Sequence, residues 1–234
     1  MKKLLLSLTM LAIISTPVLA KSPVANLKIN GDIKPPTCTV NGATQRDVIF
    51  DYGVISPTLI PQSTVYSYSD IGVQNTVTIE CDAKTYLTFT ASDTYADTEL
   101  SVNNTSGWFH LVDKANPETA VGAAFFAWDN VTVDSKPAYI SRANDVSITG
   151  TSYNNALYKG PTNGWTSEKQ TSVDKNALAL ISGEIFQANF RQGIESNPTQ
   201  TFILSRDELS KKGIDLSNGL DFIGEAVLTF NFGV

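Results

Sequence analysis

The chain carries a single histidine, His110, and any Ser-His-Asp scheme would have to route its protons through that one imidazole. No Gly-x-Ser-x-Gly elbow, His-Glu-x-x-His pair, Gly-x-x-x-x-Gly-Lys loop or Gly-x-Gly-x-x-Gly turn accompanies it. His110 follows Trp108 and Phe109 in a stretch with strand character, so it reads as a packed or surface histidine. Asp93, Asp97 and Glu99 lie close in sequence. Two carboxylates at the right separation can hydrolyse a glycosidic bond, but a solvated loop accounts for these three as well. The stretch also lacks the Asp-x-Asp-x-Asp-Gly order of a calcium loop. Trp108, Trp128, Trp165, Tyr153 and Tyr158 are of the types that stack on sugars. Aromatic rings gain most of their energy from buried area, which favours a structural role for them. Trp165, beside Asn163-Gly164 in a polar stretch, is the one expected to be exposed and the candidate ligand contact. The reading is of a chain with no catalytic residues, no cofactor and no metal.

The remaining reactive side chains are Cys38 and Cys81. Their meaning depends on compartment. Lys2 and Lys3 precede a largely apolar run from Leu4 to Leu19, and Val18-Leu19-Ala20 supplies small residues for cleavage. This is the pattern of a secretory signal peptide over residues 1–20, too short and too polar for a spanning helix. No second apolar stretch is long enough to span a membrane, so no direct membrane span is expected. An even cysteine count in an exported chain implies a Cys38–Cys81 bridge. Zinc is the rival, but two thiols and a distant histidine do not make its usual spacing. The net charge of −6, or −8 once Lys2 and Lys3 are removed, disfavours nucleic acid as a partner.

Period-two alternation dominates the chain. Leu27, Ile29, Gly31 and Ile33 alternate with Lys28, Asn30 and Asp32; Val77, Ile79 and Cys81 with Thr76, Thr78 and Glu80; Leu87, Phe89 and Ala91 with Thr88 and Thr90. Near the end, Phe222, Gly224, Ala226, Leu228, Phe230 and Phe232 share one face, opposite Ile223, Glu225, Val227, Thr229 and Asn231. β-Branched and aromatic residues crowd these stretches, as strands prefer. The best helix signal is Ser205-Arg206-Asp207-Glu208, a capping box that Gly213 can terminate. Pro35-Pro36, Asn41-Gly42, Gly160-Pro161 and Asn163-Gly164 read as turns. Many short strands with such punctuation predict an all-β sandwich or barrel. Residues 92–175 are the least regular and read as a loop-rich elaboration of one domain spanning 21–234.

Leu27 to Ile33 followed by Pro35-Pro36-Thr37-Cys38-Thr39-Val40 resembles the opening of a chaperone–usher fimbrial (pilin) subunit. Asp51-Tyr52-Gly53-Val54-Ile55 and Ile79-Glu80-Cys81-Asp82-Ala83 resemble a branch of uncharacterised, larger fimbrial-like proteins of Gram-negative bacteria. The resemblance implies an immunoglobulin-like sandwich lacking its last strand. It implies a groove that a periplasmic chaperone fills before another fimbrial subunit does, by β-strand addition. It also implies passage through an outer-membrane usher, and a periplasmic then cell-surface location. The C-terminal strand, Phe222 to Phe232, is the expected groove wall. This sequence departs from that family in having Gly233 at the penultimate position, with Phe232 one place early.

The expected role is a structural fimbrial subunit assembled by donor-strand exchange and contributing to cell adhesion. The alternative is a tip adhesin that binds a surface glycan or protein through loops of 92–175. Only Lys21 to Asn26 precede Leu27, and a strand needs roughly eight to ten residues to fill four or five pockets. Leu27, Ile29, Gly31 and Ile33 are therefore either this subunit's own first strand or the segment it donates. Because the stretch runs so directly into Cys38, the expectation leans to a subunit that accepts a strand without donating one.

Overall fold

The computed structural model describes residues 25–68, 73–102, 105–150, 152–193 and 201–233; the signal-like segment 1–20 lies outside them. The chain divides into two units, Met1–Lys34 and Pro35–Val234. Residues 25–34 of the first carry no helix or strand. Leu27, Ile29 and Ile33 are 97, 99 and 103% exposed. The alternation there does not build a first strand of this chain's own fold. Nothing in the segment is buried, so there is no face for the alternation to serve within the chain.

The second unit is nearly all β. Its strands are β1 (Cys38–Val40), β2 (Tyr66–Tyr68), β3 (Gln74–Asp93), β4 (Phe109–Asp113), β5 (Ala120–Ala124), β6 (Phe126–Val133), β7 (Lys136–Pro137), β8 (Tyr139–Ala143), β9 (Asn163–Thr166), β10 (Thr171–Val173), β11 (Ser182–Gln192), β12 (Thr201–Ile203), β13 (Phe222–Ile223) and β14 (Ala226–Phe232). One helix, α1 (Arg206–Lys211), precedes the last pair. The strands form an immunoglobulin-like two-sheet sandwich. The larger sheet runs β10-β8-β9-β3-β11-β6-β7, with β1 and β14 also paired to β3; the smaller runs β13-β4-β5-β12-β2.

The two expected strands around Val77 and Leu87 are one continuous strand, the 20-residue β3. Val77, Ile79, Leu87, Phe89 and Ala91 all point into the core of the larger sheet. Each such side chain contributes about 1.5–3 kcal/mol by leaving water. Cys38 pairs with Cys81 across the β1–β3 ladder and the two are disulfide-bonded. The helix starts where its cap is: the Ser205 hydroxyl accepts from the Glu208 amide, and Gly213 ends it at φ 82°.

Residues 92–175 contain β4 to β10 among their loops. One expectation needs correction. Asn163-Gly164 is not a turn but the start of β9, where Asn163 pairs with Phe89 and Gly164 with Thr88. The flanking residues Thr162, Trp165 and Thr166 are all buried, and a strand closed on both sides shows no polar-apolar alternation to read.

Candidate functional site

A cleft of about 1200 Å³ opens along the sandwich, and the C-terminal strand forms one wall of it. Ala226, Leu228 and Phe230 are half-buried against the core of the larger sheet, and Phe222 against that of the smaller. Phe232 is 48% exposed at the far end. Val227, Thr229 and Asn231 are exposed. The expected face is thus brought together along one wall, with Gly224 at its bend. β14 pairs with β3 alone, from Ala226 opposite Asp93 to Phe232 opposite Leu87. Among the described residues no strand takes its other edge.

The opposite wall is residues 44–53. Val48 and Phe50 pack on the larger core and Tyr52 and Ile55 on the smaller, while Ile49, Asp51 and Val54 are exposed. This is strand-like alternation without a strand. Among the described residues, 44–55 make no backbone–backbone hydrogen bond. Side chains hold the segment instead. The Asn75 amide donates to the Ile49 carbonyl at 2.7 Å. The Tyr68 hydroxyl donates to the Tyr52 carbonyl at 3.5 Å. Phe50 meets Phe126 edge-on, with ring centroids 5.1 Å apart, and Tyr52 stacks on Tyr68 at 4.5 Å. Burial raises the Tyr52 phenol well above its ordinary pKa, against a lowering hydrogen bond with Thr201. Val77, Ile79, Leu87, Phe109, Leu111 and Phe126 are among the residues at the base of the cleft. A trough between one free edge of β14 and a segment that belongs to no ladder is the geometry into which a further β-strand fits, with main-chain hydrogen bonds on each side and alternate side chains pointing in. The wall at 44–53 was not legible as such. The Asp51-Tyr52-Gly53-Val54-Ile55 motif was its signal, but Gly53 broke the period.

A buried cluster of charged groups lies beside the start of β14, where Asp93 is the register partner of Ala226. Asp93 ends β3 with its carboxylate wholly out of solvent. It accepts from the His110 amide at 3.0 Å and the Tyr95 amide at 3.0 Å, and pairs with His110 Nδ1 at 2.6 Å. Lys159 Nζ lies 3.6 Å away. Burial favours the neutral acid, but the donors from His110 and Tyr95 together hold the carboxyl below its usual pKa. Burial also lowers the Lys159 ammonium, which Asp93 partly offsets. The pair has the residue types of two members of a catalytic triad, and both side chains are sealed from solvent. Asp97 and Glu99 are exposed and do not join the cluster.

Trp165, expected to be exposed, is buried. It is 1% exposed, packs on Phe89, Phe186 and Phe230, and donates from Nε1 to the Gln187 carbonyl at 3.3 Å. Trp128 and Tyr158 are buried too, the latter beneath the Arg142 guanidinium at 4.5 Å. The polar residues that suggested exposure for Trp165 are themselves in the interior.

Among the described residues no helix is long and apolar enough to cross a membrane. No curated protein matches the chain. Residues 27–127, which take in the exposed segment, one cleft wall and the start of β6 but not β14, are similar to a family described as protein of unknown function, DUF1120.

Proposed function

We propose that this chain is a structural subunit of a chaperone–usher surface fibre, assembled by strand exchange and carrying no catalysis. The observation that supports it most is the cleft of about 1200 Å³ between the unpaired edge of β14 and the unpaired segment 44–53. A periplasmic chaperone, then a neighbouring subunit, supplies the missing strand. Burying several apolar positions of that strand at about 1.5–3 kcal/mol each makes the donor a large share of the stability of the fold. An outer-membrane usher and other fimbrial subunits are the further partners, and the location is periplasmic, then cell-surface.

The exposed alternation of Leu27, Ile29 and Ile33 favours a chain that also donates a strand, against the acceptor-only role. Seven residues, Leu27 to Ile33, match the seven of β14 in length. Pro35-Pro36 then stiffens the join to Cys38, because proline fixes φ and restricts the residue before it. Burial of Trp165 removes the residue that best supported a glycan-binding tip.

Periplasmic pull-down of the full chain tests this directly. Co-purification of a chaperone, released by a synthetic peptide of residues 21–34, is the expected result. A stable monomer that captures neither chaperone nor strand peptide would refute the proposal.

A further inference from the structure

The last strand changes sheets in the middle. Phe222 and Ile223 pair with Asp113 and Val112 of β4, in the smaller sheet; from Ala226 onward the strand pairs with β3, in the larger. Gly224 and Glu225 make the crossing. Gly224 is pressed so closely that a Cβ there would lie 2.7 Å from the His110 carbonyl oxygen and 2.6 Å from Leu111 Cδ2. Glu225 is held from the other side: its carbonyl accepts from the Thr94 amide at 3.1 Å, and its carboxylate accepts from the Thr94 hydroxyl at 2.5 Å. Between those two grips sits Asp93. Its main chain is the register partner of Ala226, the first residue of β14. Its carboxylate takes both the amide and the ring nitrogen of His110, the residue whose carbonyl confronts Gly224. Lys159 closes the third side, and its own segment is tied to β3 by the Gly160 amide donating to the Ala91 carbonyl at 2.9 Å.

The geometry points to Asp93 as the positioning residue of the cleft: through His110 it locks β4 to the end of β3 and so fixes the crossing from which β14 departs, setting the angle of the wall that an incoming strand must match. The inference rests on reading the cleft as a strand acceptor. A buried carboxylate is a demanding way to join two sheets, since taking a charge out of water is costly. What the charge adds is direction, because hydrogen bonds to an ionised acceptor are short and fixed in angle. Asp93 touches no incoming strand; it acts through His110 and Ala226.

The test compares Asp93→Asn with a core variant of matched thermal stability, such as Ile140→Ala in β8, in full chains refolded with the disulfide intact. Hydrogen exchange in the unliganded proteins reads the wall. For Asp93→Asn, amides of 222–232 should exchange faster by about tenfold or more, the scale expected for loss of a charge-assisted hydrogen bond. Those of β8 to β10 should hold. Ile140→Ala should show the reverse pattern. Lys159→Met, should Asp93→Asn not fold, should give the same regional pattern more weakly. Equal patterns in the two matched variants, or no regional change, would overturn the inference. Adding the strand peptide to wild type asks the separate question. Failure to protect 222–232 speaks against the cleft as an acceptor, while the unliganded comparison still decides the role of Asp93. Where the peptide does bind, its release should be faster from Asp93→Asn than from the matched control.

Discussion

At the scale of single residues, the two that matter most carry opposite lessons about burial. Asp93 is buried and charged, and its carboxyl is held below its ordinary pKa once the His110 and Tyr95 donors are set against the cost of burial. A depressed carboxyl stabilises the fold above its unfolded pKa, about 3.9, and that contribution is lost as pH falls through the folded value. Urea unfolding of wild type and Asp93→Asn should therefore differ by a constant gap at neutral pH, and the gap should close below about pH 4. A gap that widens in acid would reverse the assignment. Trp165 is buried and apolar, and removing its ring leaves a hole among Phe89, Phe186 and Phe230. Trp165→Ala should cost about 3–5 kcal/mol in the same measurement. Asp93 and His110 are 17 residues apart in the chain and reach each other across two sheets, so no local spacing announced them as a pair.

At the scale of elements, β14 is the clearest case of a face that sequence could assign. Leu228 is half-buried in the wall and Thr229 is exposed. Leu228→Asp should abolish accumulation of the folded chain on expression, whereas Thr229→Asp should be mild; equal yields on immunoblotting would unseat the assignment of faces. The same kind of local information made α1 legible, since its cap, Ser205, bonds three residues ahead to Glu208. Alternation also found both halves of β3. It did not join them, because the positions that continue the apolar face between Cys81 and Leu87 are a small, exposed Ala83 and a polar Thr85. Legibility failed where strands have two buried faces. Phe109 to Val112 of β4 and all of β5 and β9 are in the interior, so the alternation that marks a half-exposed strand is absent, and residues 92–175 read as irregular. The second wall of the cleft failed for a different reason. It alternates, but it belongs to no ladder, and a strand-like run without a partner is recognisable only once the space beside it is seen.

For the molecule as a whole, the described features divide into a cleft and an exposed segment, which the proposed function reads as acceptor and donor. The cleft belongs to the unit from Pro35 onward, and the exposed alternating segment precedes it. A chain beginning at Pro35 should therefore keep the thermal unfolding midpoint of the longer one while losing the ability to cap the cleft of another copy, which light scattering of refolded mixtures would show. A large drop in the midpoint would mean that residues 25–34 stabilise the fold in which they begin.

The disulfide between β1 and β3 has a mechanical reading. In the proposed fibre, tension would load this chain at the segment leading into Cys38 and at the cleft, and both β1 and β14 are fastened to the same strand, β3. Load would then run along one backbone in shear. The covalent link spans 43 positions between Cys38 and Cys81, so the contour between them is shunted out of the force path. At about 3.5 Å per extended residue, that withholds on the order of 150 Å of stretch. Pulled from its ends by an optical trap, the oxidised chain should lengthen by that much less on unfolding than the reduced one, which would make the bridge, in the proposed fibre, a limit on how far each link can give.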